Sequence, residues 1–381
     1  MKPAVAALLA CSALCSGAAR GELLLSANDA HSVNVNGVTT TPVNPPPDNL
    51  SVIDMAQNPP KTLATIDVPT SVAGPPMAVA LSHDESFAIV VSANKPDPKN
   101  PGKAIANDEV SVVDLTASPP KIIQTTHAGD GAAGVAISPD GKLALVANRA
   151  AGTLSVFTLD GKTLTPSATL EFAGKASGPC GVVFTKDGKN ALLTRDDNMV
   201  SVLNIDGDKV TVAPRPVITG VHPYSIDVTS DGKFAATGNM GRSDADVSTV
   251  SLIDLSKKPY RVVDQAAVPA GPEGLRFSPD GKFLAIASQD NSNKPPSAPY
   301  ATDHGVLRVF SVKDGKLTAV VDAPVGHWSQ GAAFSPNGKK ILVQNMVERN
   351  ILVFGFDGSK LTPEAPIPVN GGAAAIAIAS P

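Results

Sequence analysis

The residues best able to do chemistry in this chain sit at one position relative to a repeated turn. Six times an apolar stretch runs into a turn of related sequence: Ser82-His83-Asp84-Glu85, Ser138-Pro139-Asp140-Gly141, Thr185-Lys186-Asp187-Gly188, Thr229-Ser230-Asp231-Gly232, Ser278-Pro279-Asp280-Gly281 and Ser335-Pro336-Asn337-Gly338. Seven residues before the Asp or Asn stand Met77, Ala133, Cys180, Tyr224, Glu273 and Gln330, with His222, His327 and Trp328 close by. Ester or lactone hydrolysis needs a base to activate water and a positive group for the oxyanion. His222 and Glu273 are the candidate bases, and Arg195 and Arg242 the candidate stabilisers. For binding without chemistry the set is His222, Tyr224, Glu273, His327, Trp328, Gln330, Arg149, Arg195 and Arg242. Arginine suits carboxylates and phosphates because its fork donates two parallel hydrogen bonds.

Further polar residues follow the second apolar stretch of each repeat: Asp196, Asp290, His304, Glu348 and Arg349. For all of these the alternative role is structural, as salt bridges between repeats or caps on neighbouring loops. Asp227 and Arg276 share a register four residues before their turns and read as a buried ion pair. Asp244-Ala245-Asp246 and Asp196-Asp197-Asn198 offer oxygen ligands, but neither follows an EF-hand loop. Cys180, His222 and His327 could meet across the channel as soft ligands, but without the spacing of a zinc or haem motif. No metal and no cofactor is expected. There is no GxSxG elbow and no Gly-rich phosphate loop.

Short β-rich runs bounded by Gly, Pro and Asp must position these residues. The turn residues lie 56, 47, 44, 49 and 57 apart, a noisy period near the length of a four-stranded propeller blade. One repeat reads as strand A over 134–138, strand B over 143–148, strand C over 153–159 and strand D over 165–172. The two ends complete each other. Residues 375–379 read as a strand A, and residues 22–28, 50–55 and 62–68 as B, C and D of the same blade. The expected fold is all-β: a seven-bladed β-propeller of four-stranded antiparallel blades, closed by a blade shared between the termini. D-to-A and B-to-C connections then share one face. The long loops Asn28 to Asn49, Ala93 to Glu109, Arg195 to Met199, Asn239 to Asp246 and Ser288 to His304 mark it as the working face.

The phrases "SPDGKLALVANRAAGTLSVFTLDGKTL" and "FSPDGKFLAIAS" resemble YVTN-type propeller repeats. "FSVKDGKLTAV" and "FGFDGSKLTPEAPIPV" are similar to lactonase-type propellers of the 6-phosphogluconolactonase kind. The resemblance covers essentially all of the chain after its N-terminal segment and implies a seven-bladed propeller. Val221-His222-Pro223-Tyr224 resembles the His-Pro-His segment of the lactonases, with Tyr224 in place of the second His. Gly271-Pro272-Glu273-Gly274 resembles their Gly-Pro-Arg-His segment, with Glu273 and Gly274 replacing both functional residues.

Residues 1–20 read as an export signal: Lys2, an apolar run from Pro3 to Cys15, then the small residues Ser16 to Ala19. Leu8-Leu9-Ala10-Cys11 also allows a lipoprotein, so the expected location is periplasmic or extracellular. Only Cys180 of the three cysteines lies in the remaining 21–381 propeller, so no internal disulfide can form there. The net charge of −4 gives no case for nucleic acid, and no segment is long enough to span a membrane. The reading is a monomeric, exported binding or interaction propeller. Its partner would be a small polar or anionic ligand, or a protein, on the long-loop face. Lactone hydrolysis is the alternative.

Overall fold

The computed structural model describes residues 22–242 and 248–378. The export segment, the candidate oxygen-ligand segment Asp244-Ala245-Asp246 and residues 379–381 lie outside them. Seven antiparallel blades follow one another round a ring, five of four strands and two, blades 3 and 6, with the outer strand in two pieces that end in Val217–Ile218 and Ile367–Pro368. Blade 1 comprises Val79–Leu81, Phe87–Val91, Glu109–Asp114 and Lys121–His127. Blade 2 comprises Ala132–Ile137, Leu143–Asn148, Thr153–Asp160 and Thr163–Glu171, and blade 3 Pro179–Phe184, Asn190–Arg195, Met199–Asp206 and Lys209–Val212. Blades 4 and 5 have inner strands Pro223–Val228 and Pro272–Phe277, with outer strands Arg261–Val268 and Lys316–Val325. Blade 6 runs from Ser329–Phe334 to a short outer strand, Leu361–Pro363. In blade 7, Gly372–Ile378 pairs with Leu23–Asp29, which pairs with Asn49–Asp54 and then Lys61–Asp67. The expected shared blade is therefore present, with Leu24 opposite Ile378 and Asp29 opposite Gly372. Each inner strand packs on the next, including that of blade 7 on that of blade 1, so no inner edge is left open.

Burial explains the sequence pattern. Strand B of blade 2, Leu143–Asn148, is buried throughout because neighbouring blades cover both its faces. The outer strand Lys61–Asp67 alternates exposed and half-buried residues, as expected of a surface strand with period two. The repeated turn is a hydrogen-bond device. Ser138 Oγ donates to Asp140 Oδ1 at 2.6 Å and accepts the Leu143 N–H at 2.9 Å. Gly141 takes the left-handed conformation between them, φ 69°. In blade 1 Glu85 fills that position at φ 55°. Its carboxylate accepts the Leu23 N–H at 3.1 Å, which ties the incoming chain to the neighbouring blade. From blade 6, Gln344 Nε2 donates to Ser26 Oγ at 2.7 Å and to the Ala375 carbonyl at 2.9 Å, stitching together both halves of the shared blade.

Two loops expected to be irregular contain hairpins. Val33–Val35 pairs with Val38–Thr40, and Asn94–Pro96 with Ala104–Ala106. The first turns at Asn36-Gly37, both left-handed, a pair that favours two-residue hairpin loops. At the root of both lies a buried cluster. His31 Nδ1 is 2.8 Å from Asp48 Oδ1 and 3.2 Å from Asp29 Oδ1, and its Nε2 is 2.9 Å from Asn94 Oδ1. Asp29 also accepts the N–H groups of His31, Ser32 and Val72, and Asp48 those of Ala30 and Thr70. Among the described residues this is the one His/Cys/carboxylate group compact enough for a metal. Its carboxylate oxygens, however, are already engaged by backbone donors, and the group is built as a staple between loops. No helix among the described residues is long and apolar enough to cross a membrane.

Candidate functional site

Just before strand A, the chain repeatedly adopts a left-handed residue. It is Gly131, Gly178, Gly271 and Gly371 in blades 2, 3, 5 and 7, but His222 in blade 4 (φ 56°) and Trp328 in blade 6 (φ 51°). Bulky residues are uncommon at positive φ and persist there when the surroundings enforce it. Both stand at the entry to an inner strand, on the long-loop face.

His222 is the centre of a polar cluster drawn from three consecutive blades, 2 to 4. Its backbone N–H donates to Asn198 Oδ1 at 2.8 Å. Its Nε2 stands 2.9 Å from Asp196 Oδ1, at an angle short of a full hydrogen bond. Arg149 Nε donates to the other oxygen, Oδ2, at 2.9 Å. Burial alone would raise the Asp196 carboxyl. The contact with His222 and the charge of Arg149 outweigh it, and the group is held below the usual range. The Arg149 guanidinium lies 5.5 Å from the Tyr224 ring centroid, and the His222 ring meets Tyr224 edge-on at 5.4 Å. Arg149, Asp196 and His222 are partly open to solvent, whereas Tyr224 beneath them is buried.

Glu273, on the inner strand of blade 5, is buried deeper in the channel. Desolvation pushes its carboxyl up to about 8, a rise that the charge of Arg149 and the side chains of Gln289 and Gln330 only partly offset. Gln289 Nε2 donates to Glu273 Oε1. Glu273 Oε2 and the Gln330 amide lie close enough to interact but do not complete a hydrogen bond with each other or with another described residue. Buried polar groups are nearly always satisfied, so this floor has spare hydrogen-bonding capacity.

The remaining candidates lie elsewhere. The Arg195 guanidinium is held by Asp197 and by Ser201 Oγ and stacks on Phe172, 5.1 Å from its centroid. It is a joint between blades 2 and 3, so Arg149 takes the place expected of it. Arg242 is exposed, at the edge of the described residues. Trp328 packs with Met346, Ala374 and Val72 in a separate apolar cluster, and His327 Nδ1 is 2.7 Å from Glu348 Oε1. Cys180 is buried against Tyr224 and Met240. Burial, then the charge of Asp196, pushes its thiol up to about 12, away from nucleophile chemistry. Cys180, His222 and His327 do not form a compact ligand group. In the Asp196-Asp197-Asn198 segment all three side chains are engaged by protein groups. Asp227 and Arg276 do meet, at 3.3 Å, and Asp227 Oδ2 accepts the Phe277 N–H at 2.8 Å. His304 pairs with its neighbour Asp303 at 2.6 Å, and Asp290 and Arg349 occupy left-handed positions in their loops. Sequence reasoning missed Gln289, and it read Asn198 only as a candidate cation ligand rather than as the acceptor of the His222 N–H. Both follow a strand B, where only the blade register could have singled them out.

Residues 108–216 match the family model described as lactonase, 7-bladed beta-propeller. No curated protein matches the chain. Among solved structures it is similar to a candidate 6-phosphogluconolactonase from Bacteroides fragilis, at 19% identity and a TM-score of 0.71, over 94% of this chain and 98% of that one. A second such protein, from Bacteroides uniformis, gives 19% and 0.70 over 94% and 99%. Hydrazine synthase from Kuenenia stuttgartiensis gives 18% and 0.61 over 81% and 91%. At these identities the likeness establishes the propeller fold.

Proposed function

We propose that the protein is an exported binding propeller that takes a small anionic ligand at the channel mouth. One observation carries this reading: the left-handed position that four blades fill with Gly holds His222 in blade 4. There the imidazole meets Asp196, beside Arg149. A carboxylate or phosphate would take hydrogen bonds from Arg149 and His222. The polar floor of Glu273 and Gln330 would serve the rest of the molecule. Export rests on the N-terminal sequence. The chain enters at Leu23, bonded to the tight turn of blade 1, so an N-terminal attachment would leave the long-loop face pointing outward.

Calorimetric titration with gluconate and with inorganic phosphate tests the reading. Arg149→Ala should weaken binding by about 1.5–3 kcal/mol, the contribution of a charge-assisted hydrogen bond. Equal affinity in parent and variant refutes it. A second reading, lactone hydrolysis, is favoured by the Asp196–His222 contact, since a carboxylate orients a histidine base. His222 would activate water and Arg149 would stabilise the oxyanion. Proton release from δ-gluconolactone in a pH-stat, lost in His222→Ala, would support it. A parent no faster than buffer would exclude it.

A further inference from the structure

The hairpin Val33–Thr40 leaves blade 7 but ends on blade 5. Asn34 Nδ2 donates to the Asn293 carbonyl at 3.0 Å. At the tip, Gly37 (φ 80°) lies flat against Lys294 and Pro295, where a Cβ would stand 2.0 Å from the Pro295 nitrogen. The hairpin therefore crosses blade 6, whose inner strand begins after His327 and Trp328. Two cavities flank it and share Asn34 and Val347 as walls. The smaller, about 100 Å³, is lined by Trp328 and Met346. The larger, about 530 Å³, lies between the hairpin tip, the blade-5 loop and His327. Its size is within the usual range of small-molecule sites.

The larger cavity is chemically prepared. Glu348 accepts the His327 N–H through both oxygens at 3.0 Å, and its Oε1 lies 2.7 Å from Nδ1 of the ring. This fixes the imidazole and leaves Nε2 for a ligand. Trp328, the next residue, is one of the two bulky left-handed residues at this register. Its N–H donates to Ser292 Oγ at 3.1 Å, and Ser292 lines the larger cavity. The cavity is also lined by Asn34, Asn36, Asp303 and Lys294. One lysine against the carboxylates of Asp303 and Glu348 gives no excess of positive charge to select an anion. Donors and acceptors of both kinds suit a ring that carries several hydroxyls.

We propose that this cavity is a second ligand site, for a neutral polyhydroxylated ring of monosaccharide size, separate from the anion site over blades 2 to 5. His327 Nε2 and Asp303 hydrogen-bond its hydroxyls, and Ser292, which also holds the Trp328 N–H, belongs to the wall.

Trp328 is the single tryptophan and its N–H is held by Ser292 on the cavity wall, so its emission serves as an indirect second readout without labelling. The probes are glucose, galactose and N-acetylglucosamine, with glucuronate as the anionic counterpart. The full chain is examined by saturation-transfer NMR and by tryptophan emission. The parent should transfer saturation to at least one neutral sugar and shift its emission on titration. His327→Ala should weaken that binding about tenfold, the equivalent of one good hydrogen bond. Asp303→Ala should also weaken it. Asp303 is 93% exposed, so that variant will fold. Arg149→Ala should leave neutral-sugar binding unchanged, which separates this site from the channel mouth. Absence of transfer to every neutral sugar overturns the proposal. So does binding that survives both His327→Ala and Asp303→Ala, or that is lost in Arg149→Ala.

Discussion

Glu273 makes the polar floor testable through stability alone. Its carboxyl moves from 4.5 to about 8 in the folded protein, chiefly because it is desolvated. Below pH 4.5 it is protonated in both the folded and the unfolded chain, so pH has no effect through this group. Between 4.5 and 8 the unfolded chain has released the proton and the folded chain has kept it. Stability then falls as pH rises. At 1.36 kcal/mol per unit, a shift good to about one unit amounts to about 3–6 kcal/mol by pH 8. Above pH 8 the penalty is constant. Glu273→Gln keeps the shape and removes the titration. Its advantage over the parent should be near zero at pH 4, should grow through neutrality and should level off above pH 8. Urea midpoints of parent and variant across this range measure it. The infrared spectrum of the parent at pH 7 should also contain a protonated-carboxyl band that the variant lacks. A midpoint difference that stays constant from pH 4 to pH 9 would refute the reasoning, because it would mean that Glu273 is ionised in the folded protein.

Three further outcomes follow from the same geometry. Removing residues 373–381 takes away the inner strand of blade 7; insoluble protein or a large fall in thermal midpoint is expected, and unchanged melting would contradict the shared blade. Asp227→Ala unpairs Arg276 and leaves the Phe277 N–H without an acceptor, at a cost of about 2–3 kcal/mol. The double variant with Arg276→Met should recover part of it, and strictly additive losses would show that the two do not interact. His31 is raised from 6.5 to about 9: burial alone would lower it, but the hydrogen bond to Asp48 and the charge of Asp29 outweigh that. Its contribution to stability is complete below pH 6.5 and is lost as pH rises through 9. His31→Gln should abolish the loss of about 3 kcal/mol between those limits, and an unaltered pH profile would count against the staple.

The architecture was legible because six of the seven blades repeat one turn chemistry and the two chain ends complete the seventh. Ser or Thr at the first position and Asp or Asn at the third bond to each other and to the next strand, and the spacing of these turns counts the blades. Even the irregular first turn obeys the rule, since Glu85 replaces the left-handed Gly and uses its side chain to catch Leu23. The two hairpins were not legible. They sit in B-to-C loops whose Pro, Asn and Lys content reads as irregular, and their positions depend on contacts as distant as Asn34 with Asn293.

The site was legible in its register and not in its grouping. Counting back from the turns located Tyr224, Glu273 and Gln330 on successive inner strands, where the structure has them. Register alone cannot tell which arginine faces the mouth. Arg149 and Arg195 each end or follow a strand B, one blade apart. Asp196 and Asp197 decide between them: the first turns toward Arg149 and His222, the second toward Arg195. One residue's difference in a loop thus puts one arginine at the mouth and locks the other between blades. The same reasoning separates His222 from Trp328. Both break the Gly pattern before strand A, but they stand two blades apart, with Glu273 between them. His222 looks onto Asp196 and Arg149, while Trp328 lies beneath the hairpin. A ring that spends bulky left-handed residues at two places has reason to hold a side chain at each, which is why the two sites are expected to respond to different ligands and to different substitutions.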